Sequence, residues 1–335
     1  MKLISSEYIS ENLIEFLEGT ELGTNGARYV HLDTRNRIKQ VDHPISHSLV
    51  RNQNLIGNIT FCRRKVGYYL RYFAFSRIFQ NKSAKKHKKK SVSSFFEKKI
   101  ESVFKELISQ KPNLPMYAYI DSENERSQSF AERFGFSYYT EIVSRTYSRY
   151  RPIKNQKAAL LEDWKTLQVM VEAEYSDNEF YHSFHIRKGP YVVIKNENDQ
   201  IVSFAKFTKV HWKITRLPGR FGGFFVKAIP YVPVLNKMFC PSDHYFLVPD
   251  IVFTRNKTSK EIESLFDSAL NLYNVSSLIW FVDPNQSIYS KTKNKTRWGF
   301  LDKILGEKKV TLVCRNQSSV YSGIRPVFVS GFDLV

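Results

Sequence analysis

Hydrophobic and polar positions along the chain run through one order twice. Alternating runs at Ser48–Val50 and Leu55–Cys62, joined by the polar turn Asn52-Gln53-Asn54, predict a hairpin, and Tyr68–Ser76 predicts a further strand. The second hairpin is Tyr191–Ile194 and Ile201–Thr208 about a turn at Asn196–Asp199, followed by the strand Tyr245–Phe253. Each set leads to a helix opened by a capping box, Ser94-x-x-Glu97 or Thr258-x-x-Glu261. Apolar stripes at helical spacing follow, Phe96, Ile100, Val103, Phe104 and Leu107 in one, Ile262, Leu265, Phe266, Ala269 and Leu270 in the other. A short buried strand comes next, Met116–Ile120 or Leu278–Val282.

The repetition extends to residue identity. Ile100-Glu101-Ser102-Val103-Phe104 recurs as Ile262-Glu263-Ser264-Leu265-Phe266, an offset of 162 residues that also carries Asp121 onto Asp283. Both copies then reach a Gly-Phe pair, Gly135-Phe136 and Gly299-Phe300. The polar stretch Ser148–Gln156 separates the copies, and Ala158–Glu174 reads as a new helix. A duplicated α/β unit is therefore expected, with domains at 1–150 and 151–335.

Composition fits that division. The chain has 335 residues, 42% hydrophobic and 15% aromatic, enough for two cores. Cys62, Cys240 and Cys314 exclude a disulfide scaffold and a zinc site built from cysteine alone. No histidines stand at metal-ligand spacing with carboxylates, and His182 and His185 read as surface residues, so no metal is expected. The start turns acidic too early for a secretory leader. Phe221–Phe239 is broken by Lys227, two prolines and Asn236, which argues against a membrane span. A soluble, cytoplasmic protein is expected. The net charge of +19 attracts polyanions, and six lysines and His87 crowd into Lys82–Lys90. That block reads as a solvated loop, with RNA or another polyanion as the sharper alternative partner.

After the strand ending at Ile120 comes Asp121-Ser122-Glu123-Asn124-Glu125-Arg126-Ser127, leading through Ala131 to Gly135-Phe136. This resembles the GNAT superfamily of N-acetyltransferases, whose fifth strand runs into N-x-x-A-x-x-x-Y-x-x-x-G-F. Leu70–Ser76 is similar to the fourth strand of that family. The resemblance implies α/β (α+β) architecture in two tandem GNAT-like domains, each a mixed, mostly antiparallel sheet flanked by helices. It implies acetyl-CoA or another acyl-CoA as co-substrate. On that footing Phe73, Ala74 and Phe75 would face the pantetheine, Asn124 would assist, and Lys88, Lys90, Ser91, Ser93 and Ser94 would hold the pyrophosphate at a helix start. The family's glycine-rich loop is replaced by Ser91-Val92-Ser93, so charge and hydroxyls would substitute for backbone contacts, or coenzyme A binding would be weakened. The second copy offers only Arg255-Asn256-Lys257-Thr258 there, and is expected to be structural and substrate-facing.

The position of the family's acidic tyrosine is Ala131, leaving Ser127, Ser129, Tyr72 or a water to protonate the departing thiolate. For the base, alternation in Tyr29-Val30-His31-Leu32-Asp33 puts Tyr29, His31 and Asp33 on one strand face, where a carboxylate can tune His31 near neutrality. The competing reading is a polar face with no role. Asp250 reads as a structural carboxylate at the seam, Arg216–Gly223 as a loop, and Phe224–Phe239 as a lid or seam, or as an acyl-chain or partner groove. The expected function is acyl-CoA-dependent N-acyl transfer, most simply acetylation, to a small-molecule or peptide amine. Two alternatives stand beside it: a Fem-type peptidyltransferase using aminoacyl-tRNA, and a degenerate GNAT binding module.

Overall fold

The computed structural model describes residues 1–23, 27–76, 90–217, 219–316 and 325–335, and of residues 90–96 the backbone only. Fourteen strands build one continuous sheet. They are β1 (Lys2–Ser6), β2 (Arg28–His31), β3 (Pro44–Arg51), β4 (Asn54–Arg64), β5 (Gly67–Leu70), β6 (Ala74–Phe75) and β7 (Met116–Asp121). The series continues with β8 (Ser137–Ser148), β9 (Ala158–Leu161), β10 (Tyr191–Lys195), β11 (Ile201–Arg216), β12 (His244–Thr254), β13 (Ser277–Val282) and β14 (Lys308–Arg315). The longer helices are α1 (Glu11–Glu18), α2 (Thr34–Ile38), α3 (Lys90–Gln110), α4 (Glu125–Arg133) and α5 (Trp164–Tyr175). After them come α6 (Gly222–Ala228), α7 (Pro233–Met238), α8 (Ser259–Leu272), α9 (Ser287–Thr292), α10 (Phe300–Leu305) and α11 (Gly331–Leu334).

Strand order reads β1-β3-β4-β5-β7-β14-β8-β13-β12-β11-β10-β9, the same succession of roles from either edge. Only β5–β7 and β12–β13 pair in parallel among the described strands, and they occupy corresponding places. At the centre the two units exchange their last strands: β8 pairs with β13, while β14 returns to lie between β7 and β8. A second crossing comes from β2, which pairs with β11, His31 facing Trp212. One continuous sheet therefore spans both halves of the chain.

Local chemistry accounts for the elements. The β3–β4 turn places Asn52 and Gln53 at φ of 49° and 65°, the left-handed pair that suits the twist of a two-residue hairpin. Ile100, Val103, Phe104 and Leu107 of α3 and Ile262, Leu265, Phe266 and Ala269 of α8 are all buried, so the repeated stripes do the same work in the two cores. Thr258 and Glu261 form the expected capping box.

Three expectations are corrected. Helix α3 already includes Lys90, so Ser94 lies inside it and not at its cap. Ala158–Leu161 is a strand paired with β10, and the helix begins only after Asp163, whose side chain accepts from the Lys165 amide. The two Gly-Phe pairs are not equivalent: Gly135-Phe136 closes α4 and buries Phe136 in the core, whereas Gly299-Phe300 opens α10 and leaves Phe300 exposed.

Candidate active site

In each unit the fourth strand leaves the fifth and carries a one-residue bulge. Strand β5 pairs with β7 only at Tyr68–Met116 and Tyr69–Tyr117 among the described residues, while its continuation stays on β4. The register passes from Phe61–Leu70 to Asn58–Ala74, so one extra residue is absorbed within 71–73. Buried Asn58 donates its side-chain amide to the Tyr72 carbonyl at 2.9 Å, replacing a ladder bond that the bulge removes. In the second unit β12 meets β13 at Leu247–Leu278 and the bulge falls at Asp250, supported by Lys206 at 3.4 Å and the Thr208 hydroxyl at 2.9 Å.

The two openings are treated differently by the final segment, residues 325–335. Asp250 accepts from the Ser330 hydroxyl at 2.9 Å and the Phe332 amide at 2.8 Å, and Asp283, at the end of the fifth strand, accepts from the Val327 amide at 2.8 Å. The segment thus bridges the fourth and fifth strands of the second unit. Its own tip then turns to the seam between the units.

There a buried charge network gathers. Arg64 makes bidentate contacts to Asp42 at 2.7 and 3.0 Å and to Asp333 at 2.7 and 2.8 Å, with its guanidinium 4.9 Å from the Tyr69 ring centroid. Arg71 binds Asp333 at 3.3 Å and the carbonyls of Phe332 and Val335 at 2.7 and 3.0 Å. Desolvation opposes the charges of both aspartates, but Arg64 outweighs it for Asp333, and His185 and Arg64 do so for Asp42; both carboxyls sit below the usual range. His182 and His185, read from the sequence as surface residues, are brought into this network. His182 Nε2 lies 2.9 Å from Arg64 and must accept, since arginine only donates, and His185 stacks on Phe332 at 3.9 Å. Burial and Arg64 hold His182 below the usual imidazole range.

Arg37 links the network to the residues singled out in the sequence. Its guanidinium lies 2.8 Å from His31 Nδ1 and donates to the Phe332 carbonyl at 3.4 Å. Trp212 Nε1 donates to the same His31 nitrogen at 3.1 Å, and its ring stacks on Tyr29 at 3.9 Å. With two donors aimed at it, Nδ1 is an acceptor and the proton sits on Nε2. Burial, aided by Arg37, pushes His31 down to about 4 against the pull of Asp33, well away from the neutrality its sequence neighbours suggested. Asp33 opens α2, accepts from the His211 amide at 3.2 Å, and keeps Oδ1 buried without a hydrogen-bond partner, 3.7 Å from His31. His31 and Arg37 hold its carboxyl low in spite of burial. Tyr72 belongs to the same neighbourhood, its ring 5.2 Å below the Arg71 guanidinium. Burial first, then repulsion from Arg71, brings Arg37 down to about 10.

The remaining candidates lie along the first opening. Phe73 packs at a tilt against Phe130 of α4 at 4.4 Å and edge-to-face with Phe75 at 5.0 Å, while Ala74 is buried against α1. The Asn124 side-chain oxygen caps α4 by accepting from the Ser127 amide at 3.1 Å. Lys90, Ser91, Ser93 and Ser94 form the first turns of α3 as described, with side chains outside the description, and Lys88 with the Lys82–Lys89 stretch lies outside the described residues. The sequence did not single out Arg37, Arg64, Arg71, Asp42 or Asp333, because no local pattern marks the convergence: Arg64 meets Asp42 across 22 positions and Asp333 across 269. Among the described residues no cluster of His, Cys, Asp and Glu is arranged to hold a metal, and no helix is long and apolar enough to cross a membrane.

No family model matches the sequence, and a search of curated proteins returns no match. Solved structures do match. Saccharomyces cerevisiae N-myristoyltransferase with bound myristoyl-CoA is similar at a TM-score of 0.57 and 9% identity, over 94% of this chain and 82% of that one. A tandem GNAT protein from the clavulanic acid biosynthesis pathway, without acetyl-CoA, is similar at 0.52 and 7% identity, over 95% of this chain and 100% of that one. The chain has the GNAT fold in its tandem arrangement.

Proposed function

We propose that the protein is an acyl-CoA-dependent N-acyltransferase whose first unit holds the acyl-CoA and whose acceptor amine enters at the seam. One observation carries the reading: the fourth strand of the first unit bulges away from the fifth at 71–73, beside a buried cluster that includes Arg37, Arg71 and Asp33. A strand leaving its neighbour presents backbone amides and carbonyls to a ligand, and the pantetheine arm has amides to match. Phe73, Ala74 and Phe75 would line that edge, with Asn124 and the start of α3 nearer the phosphates. The myristoyl-CoA bound to the yeast neighbour supports an acyl-CoA donor for this fold.

The acyl-CoA would supply the thioester carbon that the amine nitrogen attacks. Burial and the charges of Arg37 and Arg71, the two causes that lower Arg37 itself, would push an acceptor amine bound beside them toward its neutral, nucleophilic form. Asp33 Oδ1, buried and without a hydrogen-bond partner, would accept a hydrogen bond from that amine and take its proton once attack has made the nitrogen acidic, while the His31 Nε2–H and the arginines would face developing negative charge. Tyr72, at the bulge, would protonate the departing thiolate. Acetyl transfer is the simplest case.

Calorimetric titration of the full chain with coenzyme A, acetyl-CoA and a long-chain acyl-CoA tests the donor, with one site per chain expected. Absence of binding to folded protein overturns the reading, and binding of transfer RNA in its place moves the donor to the Fem-type alternative. For the acceptor side, Asp33→Asn is expected to lower kcat by roughly 100-fold or more and leave coenzyme A binding in place.

A further inference from the structure

Residues 219–239, between β11 and β12, form the short helices α6 and α7 joined by a 3-10 turn at Ile229–Tyr231. The inner side of this excursion is ordinary core: Val226 and Phe239 pack with Val210, Trp212 and Phe246. The outer side is not. Phe221, Phe224, Phe225, Tyr231, Val232 and Val234 are exposed, Phe224 at 68% and Tyr231 at 87%. Six large apolar side chains exposed within residues 221–234 mark an interaction site and not a solvent face.

Charge identifies the partner. From Ile201 to Ser242 the chain has no aspartate or glutamate and seven lysines and arginines. Lys206 is buried against Asp250; Lys209, Lys213, Arg216, Arg220, Lys227 and Lys237 are exposed, and none of these six stands in an ion pair among the described residues. An aromatic and aliphatic face set among six cations, against two acids at its border, Glu21 at Thr215 and Asp243 at His211, is strongly net basic and matches the boundary of an anionic bilayer. There the rings and valines bury below the headgroups, and the long basic stems reach back to the phosphates. Val232 and Val234 distinguish this from a nucleic-acid face, because aliphatic groups give a base nothing to stack on.

We infer that the 219–239 excursion docks the protein on anionic lipid surfaces. The docked layer is backed by Trp212 and Tyr29, which wall the His31 cluster, so docking holds the seam beside the bilayer. The inference does not depend on acyl transfer, and its test reads binding alone.

The full chain is sedimented with phosphatidylcholine vesicles with and without phosphatidylserine, over a range of salt. Binding is expected for the anionic vesicles and is expected to fall with salt. The triple variant Phe224→Ser, Phe225→Ser, Tyr231→Ser should bind about tenfold more weakly or worse. The pair Arg220→Gln and Lys227→Gln should lose about fivefold per charge removed. The five substituted positions are exposed, and circular dichroism with urea unfolding verifies that the variants fold. Four results overturn the inference: no binding of folded protein to anionic vesicles, binding that the triple variant retains, a dimer that the triple variant breaks without vesicle binding, or RNA binding abolished by that variant without vesicle binding.

Discussion

The two openings between fourth and fifth strands began as copies and now differ in what crosses them. In the second unit the bulge residue is Asp250 and the strand-end residue is Asp283, both buried and both accepting amides from the final segment. In the first unit the bulge region holds Tyr72 and the strand-end residue is Asp121, which is exposed and caps its own turn through the Glu123 amide at 2.9 Å. A carboxylate in a gap recruits backbone donors, so the second opening is bridged by the chain itself. The tyrosine at the first bulge binds no amide of that segment among the described residues, and on the proposed reading that opening takes the ligand.

Several measurements break or sharpen that contrast. The largest effect is expected from acid, which strikes both units. His31 and His47 in the first and His244 in the second are each lowered by burial to about 4 from 6.5. Below the unfolded value the denatured chain takes protons that the folded chain refuses. Their stabilising contribution is therefore complete above about pH 6.5 and is lost as pH falls toward about 4, by several kcal/mol in all on the order-of-magnitude scale of such shifts. Urea unfolding followed between pH 7 and about pH 4.5 reads this; a flat profile refutes neutral buried histidines.

Arg64→Ala comes next. It leaves Asp42 and Asp333 buried and unpaired at the point where the units meet, at a cost of about 3–5 kcal/mol by chemical denaturation. Asp250→Ala removes two charge-assisted bonds to the final segment and leaves Lys206 unpaired, for about 2–3 kcal/mol. Hydrogen exchange should then rise at residues 327–335 ahead of the rest of the chain. Gly331→Ala tests the same seat from the other side, since an added Cβ runs into Val248 and the Pro249 carbonyl, and about 1–3 kcal/mol is expected. The smallest effect belongs to Asp121→Ala, the first-unit counterpart of Asp283, expected within about 0.5 kcal/mol of the parent. A loss at Asp121 as large as that at Asp250 would erase the difference between the clefts.

Much of the architecture was readable because its signals are local. Helical stripes at 100–107 and 262–269, hairpin turns and the Thr258 capping box depend on residues a few positions apart, and each was recovered in place. Ala158–Leu161 misled because four apolar residues before a helix fit either period; pairing with β10 decided the matter. Gly299-Phe300 misled because a dipeptide carries no topology. At the site, Tyr29 and His31 were legible as residues on a short strand, but Asp33 lies past its end and opens α2, and their meeting with Arg37 and Trp212 was not legible, since β2 pairs across the repeat with β11.

What the amino-acid sequence alone determined is the repeated unit: its elements, their order and the stripe each helix buries, all set by short-range spacing of apolar groups. Tertiary structure alone decided the exchange of β8 and β14, the burial of Arg64 between Asp42 and Asp333, and the different fates of the two clefts. The physical reason is range. Periodicity and capping act between neighbours along the chain, whereas a buried ion is tolerated only where distant carboxylates converge on it, and that convergence exists only once the sheet has closed.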